Sequence, residues 1–291
     1  MLIAKYLVMI NEFRQDLVSG EWILFATGRA KRPGSHGLQK QDTPVATKPC
    51  PFDDPESSGN EVMATYFNRD QSDWIAKAIK NKYPAVLEGD AESLKKIGPF
   101  SVVDGHGRHE VIVFRDHEKQ FYDFSRDEIA EVVRVYQERY VSMFDGGSLR
   151  YILIFHNHGL TAGASIPHSH SQVIAIPILP PDVKRSINGS EEFYKKNGEI
   201  IYDVMIEWET KEKKRIIYEN ESFIAFCPFV SKAPYEIRIF PKESHAHFEK
   251  MPESLRPQLA DIMYAVLAQM NKSLDGPDFN FFIHTAQLES G

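Results

Sequence analysis

The chain has only two cysteines, Cys50 and Cys227, in 291 residues. Two thiols cannot supply the disulfide framework of a small secreted protein, so a reducing, cytoplasmic setting is expected. No apolar run approaches the roughly 20 residues of a transmembrane helix, which excludes a helical membrane span and sets membranes aside as partners. Residues 1–16 hold a short apolar stretch without a basic lead-in or a small-residue cleavage site. They read as structure rather than as a signal peptide, with Met9 as an alternative start. Positive charge is in deficit, with 34 Lys and Arg against 41 Asp and Glu and a net charge of −7. That balance argues against nucleic acid as a partner, although a few local arginines can still hold a small anion. Low-complexity linkers are missing too, and 42% hydrophobic residues with 26% charged ones exclude a disordered chain.

What the chain does have is histidine, eleven in all, several of them clustered. It also has an internal repeat. Residues 107–114 and 233–240 each read as a strand, and an amphipathic helix follows each. In the first copy Ser125 and Glu128 have capping-box spacing, and Ile129, Val132, Val133, Tyr136, Tyr140 and Met143 form an apolar stripe. In the second copy the stripe is Leu255, Leu259, Ile262, Met263, Val266, Leu267 and Met270. Turns at Asp145-Gly146-Gly147 and Asp275-Gly276-Pro277 lead into apolar strands at 151–155 and 279–283, which run into His156-Asn157-His158 and His284. Trp22–Phe25 adds a strand, followed by a basic loop at 29–34. The expectation is an α+β fold with a mostly antiparallel sheet, its helices packed on the sheet and one core shared by two similar halves, 1–190 and 191–291. The basic run 211–215 reads as a solvated hairpin tip. His245 and His247 read as a loop after a strand.

The densest chemistry lies at 156–172, which ends Pro167-His168-Ser169-His170-Ser171-Gln172 before the apolar strand 173–177. Strand alternation puts His168, His170 and Gln172 on one face and Ser169 and Ser171 on the other. Gly159 and Gly163 permit a tight loop whose backbone N–H groups can approach an anion. A neutral imidazole attacks phosphorus near pH 7, and a glutamine two residues on can donate to a phosphate oxygen. Spacing alone fits a nucleophile and a metal-ligating pair equally well. His106, His109, His156 and His158 read as loop residues or as supports behind the reacting groups.

The segment 167–172 resembles the active-site signature of the galactose-1-phosphate uridylyltransferase family, a branch of the histidine-triad superfamily that includes the related ADP-sugar phosphorylases. Further matching segments are Arg14-Gln15-Asp16 with Gly20-Glu21-Trp22, Arg29–Pro33, Cys50-Pro51-Phe52-Asp53, Asn81–Ala85, Gly107–Val113 and Asp116-His117. The resemblance implies two histidine-triad-like repeats and a double displacement. A nucleoside monophosphate would pass from a nucleotide sugar to His170, and then to a hexose 1-phosphate or, in the phosphorylase branch, to inorganic phosphate. It implies that Gln172 contacts the transferred phosphoryl group, that Ser165 and the Gly163-Ala164 backbone contact the leaving-side phosphate, and that Arg29, Arg32, Asn81 and Asn157 hold the nucleotide. It implies a structural zinc on Cys50, Asp53, His117 and His168, with Asp53 where the family pattern has cysteine. Of the family's second, iron site only His284 has a match, so iron is not expected. The resemblance further implies a homodimer acting on a nucleotide sugar and a sugar phosphate.

Two other readings stay open: a catalytically silent nucleotide-binding protein, and a metal-dependent hydrolase using His168 and His170 as ligands. The second half reaches no His-x-His-x-Gln strand before residue 291. One active site per chain is therefore expected, in either a shortened protein or one whose second half is naturally incomplete.

Overall fold

Ser125 opens the helix that organises the core. Its hydroxyl accepts from the Glu128 N–H at 3.3 Å, while the Glu128 carboxylate accepts from the Ser125 N–H at 2.7 Å. This reciprocal capping satisfies N–H groups that a helix start leaves unpaired. The computed structural model describes residues 11–31, 50–68, 70–89, 94–144 and 148–288. Arg32, the turn at Asp145–Gly147 and the stretch up to residue 10 lie outside the described residues.

In chain order the strands and helices begin with β1 (Asn11–Gln15), β2 (Trp22–Ala26), β3 (Val62–Phe67), β4 (Trp74–Lys80), β5 (Lys95–Ile97), β6 (Phe100–Asp104) and β7 (Arg108–Phe114). Then come α1 (Arg126–Met143), β8 (Tyr151–His158), β9 (His170–Ile176), α2 (Pro181–Asn197) and α3 (Ile201–Glu212). The remainder is β10 (Ile216–Glu219), β11 (Phe223–Phe226), β12 (Arg238–Pro241), α4 (Arg256–Leu274) and β13 (Phe279–Ile283). The strands form three antiparallel sheets, ordered β2-β1-β6-β5, β10-β11-β12 and β13-β8-β9-β7-β4-β3. The fold is α+β, as the sequence pattern predicts.

The two apolar helix stripes meet. All six stripe residues of α1 are buried, and Ile262, Val266 and Leu267 of α4 join them in one core against the largest sheet. Strand β13, from the second half, pairs with β8 of the first in the register Asn280↔Asn157. The two halves thus share a sheet as well as a core.

Two features differ from the expectation. The run 211–215 is no hairpin tip: it is the end of α3, where Lys213 takes a left-handed φ of 54° and Arg215 turns back to pair with the buried Glu209 at 2.9 Å. Helix α2 is equally unforeseen. Among its residues only Val183 is buried, with Ile187 one turn on packed against the same small core, so most of its surface meets solvent.

Strand β7 lies inside the sheet and uses both its faces. Ile112 and Glu110 face α1, where the Arg139 guanidinium grips the Glu110 carboxylate with two bonds of 2.8 and 2.7 Å. Both side chains are nearly buried, at 7% and 11% exposure, so losing one partner strands the other charge. Replacing Glu110 by Ala should cost about 3–5 kcal/mol of stability in urea unfolding, and the pair Glu110→Met with Arg139→Met should recover most of that. A loss below about 1 kcal/mol for the single change would show that the pair behaves like a solvated surface pair.

Candidate active site

The His-x-His-x-Gln strand is β9 and the residues just before it, placed between β7 and β8. Alternation sorts its side chains as the sequence pattern predicts. Ser171 faces α1: its hydroxyl lies 2.5 Å from Tyr136 Oη and 3.0 Å from His156 Nδ1. His170 and Gln172 face the other way, across from Val113 and Val111 of β7.

His170 is buried, and its Nδ1–H donates to the His168 carbonyl at 2.8 Å. That bond fixes the tautomer and leaves the Nε2 lone pair as the reactive one. Burial pushes its pKa below the ordinary imidazole value of 6.5. The ring is therefore neutral, the form that a nucleophile requires.

Gln172 is aimed by His109, one of the histidines read from sequence as a loop residue or a support. His109 Nδ1 accepts from the Ala85 N–H at 3.0 Å, so its Nε2 carries the proton and donates to Gln172 Oε1 at 3.0 Å. With its oxygen so engaged, Gln172 keeps its NH2 for a ligand. Burial, and secondarily the nearby Arg29 charge, push the His109 pKa down to about 4, so this donor stays neutral too. Asn81 and Arg29 gather at the same place. The Asn81 side chain lies beside the His109 ring and accepts from the Tyr83 N–H at 2.8 Å. Arg29 donates to the Tyr83 carbonyl at 2.8 Å. Gln172 and two residues expected to hold nucleotide, Asn81 and Arg29, thus gather around one buried histidine that reads from sequence as a support.

The loop before the nucleophile turns on two glycines at φ +84° and +88°, Gly159 and Gly163. Its Gly163 and Ala164 N–H groups donate back to Leu160 and Gly159 within the loop, at 3.1 and 3.0 Å. Both expected anion donors are therefore engaged in closing the turn. The Ser165 hydroxyl follows directly after them. Asn157 lies on β8 beside this loop: a Cβ on Gly163 would sit 3.8 Å from its Nδ2.

Behind the nucleophile, Cys50, Asp53, His117 and His168 bring one ligand atom each to within 4.8 Å of one another. His168 is fully buried and donates from Nε2 to the Phe114 carbonyl at 2.6 Å. Its Nδ1 lone pair therefore points at Asp53 Oδ1, 3.2 Å away, with Cys50 Sγ at 3.7 Å. A buried lone pair facing a carboxylate and a thiol is an arrangement that a cation resolves. Thiol, carboxylate and two imidazoles form a donor set that suits tetrahedral zinc. His156 and His158 are supports. His156 is buried on the α1 face and stacks on Phe281, and His158 packs edge-on against Tyr122.

Comparison with known proteins gives the family and the fold. The sequence family described as galactose-1-phosphate uridyl transferase, N-terminal domain, matches residues 5–180. The chain belongs to this family of nucleotidyl-transfer and phosphorylase enzymes. It is 30% identical over 285 residues to an ADP-glucose phosphorylase of Arabidopsis thaliana, covering 96% of this chain and 79% of that one. It is 26% identical over 266 residues to a galactose-1-phosphate uridylyltransferase of Thermotoga maritima, covering 91% and 77%. Among solved structures, a uridylyltransferase superposes with a TM-score of 0.76 at 25% identity, covering 96% of this chain and 81% of that one. The crystal structure of an Arabidopsis ADP-glucose phosphorylase with bound ADP-glucose gives 0.71 at 28%, covering 94% and 82%.

If the quartet holds metal, protein produced with zinc in the medium should carry about one ion per chain by elemental analysis. Asp53→Ala and Cys50→Ser should each lose most of it. Metal content unchanged in both variants would remove these residues as ligands.

Proposed function

We propose that the chain is a nucleotidyltransferase of the galactose-1-phosphate uridylyltransferase type, working through a covalent nucleotidyl group on His170. The observation that carries this reading is the His170 Nδ1–H bond to its own strand's carbonyl, which leaves a neutral, buried Nε2 free. In the first step Nε2 attacks the α-phosphorus of a nucleotide sugar. The N–P bond forms, the bond from phosphorus to the bridging oxygen breaks, and a sugar 1-phosphate leaves with the electron pair. The His168 carbonyl stabilises the positive charge that develops on the imidazole, and Gln172 NH2 donates to the phosphoryl oxygens. In the second step the phosphate oxygen of a hexose 1-phosphate attacks the same phosphorus and His170 leaves as neutral imidazole. Splitting the transfer this way gives ping-pong kinetics.

Arg29, Asn81 and Asn157 hold the nucleotide and its phosphates, with Arg32 of the same basic loop. Ser165 and the neighbouring Gly163-Ala164 loop serve the leaving side. Cys50, Asp53, His117 and His168 hold zinc; bound there, it anchors His168 and so the carbonyl on which His170 depends. By the same family reading the protein is a cytoplasmic homodimer whose two halves divide near 190. A second reading, an ADP-sugar phosphorylase with inorganic phosphate as acceptor, is favoured by the identity to the Arabidopsis enzyme.

Incubation with labelled UDP-glucose and ADP-glucose separates the readings. Label should stay on the His170 peptide with one donor only, and His170→Ala should take none. No label from either donor would overturn both readings. Because the folded-state pKa of His170 lies below 6.5, label incorporation should hold level as pH falls to 6.5 and decline only below it. A decline that begins above 6.5 would mean that the imidazole is not held neutral by burial.

A further inference from the structure

The side chains that fix the 159–163 loop come from the other half of the chain. Asp278, just before β13, accepts from the Thr161 N–H at 2.7 Å and from the Thr161 hydroxyl. Asn280, on β13, donates from Nδ2 to the Ala162 carbonyl at 2.8 Å and to Asn157 Oδ1 at 2.7 Å. The two anchors have opposite polarity at consecutive loop residues: an acceptor at 161 and a donor at 162. Gly159 is tied to the same contact, since a Cβ there would lie 1.8 Å from Asp278 Oδ1. Only glycine lets the carboxylate in.

The polarity also determines where Asn157 points. A backbone carbonyl can only accept, so the Asn280 atom facing Ala162 is its nitrogen. The same NH2 reaches Asn157, so the Asn157 atom facing it is oxygen. Asn157 therefore turns its own NH2 toward Gly163 and the approach to His170. The bonds that hold this arrangement, those to the Asp278 carboxylate included, lie at the surface, where solvent competes for both partners and each contributes little to global stability. Their effect is on local geometry.

We infer that Asp278 and Asn280 are positioning residues for nucleotidyl transfer: they brace the 159–163 loop and aim the Asn157 amide at the phosphate under attack. The inference rests on the proposed reading that this loop faces the nucleotide's phosphates. Stopped-flow or quenched label transfer from UDP-glucose and ADP-glucose, combined with hydrogen exchange at residues 157–165, tests it in the full chain. Asp278→Ala and Asn280→Ala should slow the first step at saturating donor by about tenfold or more, with little change in KM. Asn280→Asp, which sets an acceptor against two acceptors, should be slower than Asn280→Ala. Asp278→Asn, which keeps an oxygen for Thr161, should retain most of the rate. Exchange of the Gly163 and Ala164 amides should rise in the two alanine variants, with the melting temperature unchanged. Rates within about twofold of the parent, together with unchanged loop exchange, would overturn the inference. If the parent takes no label at all, the nucleotidyl reading fails on its own. Loop exchange then decides the brace: a rise in the alanine variants keeps it and no change removes it.

Discussion

One hydrogen bond sets the requirements for the rest of the site: the Nδ1–H of His170 donating to the carbonyl two residues earlier on its own chain. An imidazole has two nitrogens and can attack with only one of them. The bond chooses which, but only while the carbonyl stays where it is. That carbonyl belongs to His168, whose ring is pinned by the Phe114 carbonyl on one side and faces Cys50 and Asp53 on the other. A metal anchor at that position would act on the nucleophile through one peptide unit. It would do so without touching substrate.

The same logic of occupying one end of a polar group to free the other recurs around the strand. Gln172 has its oxygen taken by His109, and Asn157 has its oxygen taken by Asn280. Each amide then has only donors left for a ligand that offers only acceptors, which is the character of a phosphate. Burial lowers the pKa of both His109 and His170, so the histidine that aims Gln172 stays neutral beside the neutral nucleophile. Behind the strand, Ser171 is held between Tyr136 and His156 on the core face, which fixes the register of the residues on either side.

Much of this was legible in the sequence where the signal is local. The capping box at Ser125 and Glu128, both helix stripes, and the alternation of 168–172 all depend on spacings of two to four residues. The metal quartet draws on positions 50, 53, 117 and 168, so only the family resemblance could gather it. What stayed hidden has a physical reason in each case. Helices α2 and α3 bury only Val183 and Glu209, although Ile201, Val204, Met205 and Trp208 of α3 do keep helical spacing. His109 sits in a strand whose neighbours mark it as core, and nothing local shows that its ring reaches Gln172 on the adjacent strand, 63 residues away in sequence. The Asn280–Asn157 contact joins residues 123 apart in sequence, a separation that no periodicity can bridge.

That separation orders the assembly of the site in time. Strand β9 and its sheet neighbours β7 and β8 are complete by residue 176, whereas β13 begins at residue 279. A chain made from its N-terminus presents the first of these long before the second. Closing β13 onto β8 is also among the most non-local pairings in the fold, and such contacts are slow to form. The strand that carries the nucleophile is therefore synthesised about a hundred residues before the strand that braces its loop, and the site is complete only once both are paired in one sheet.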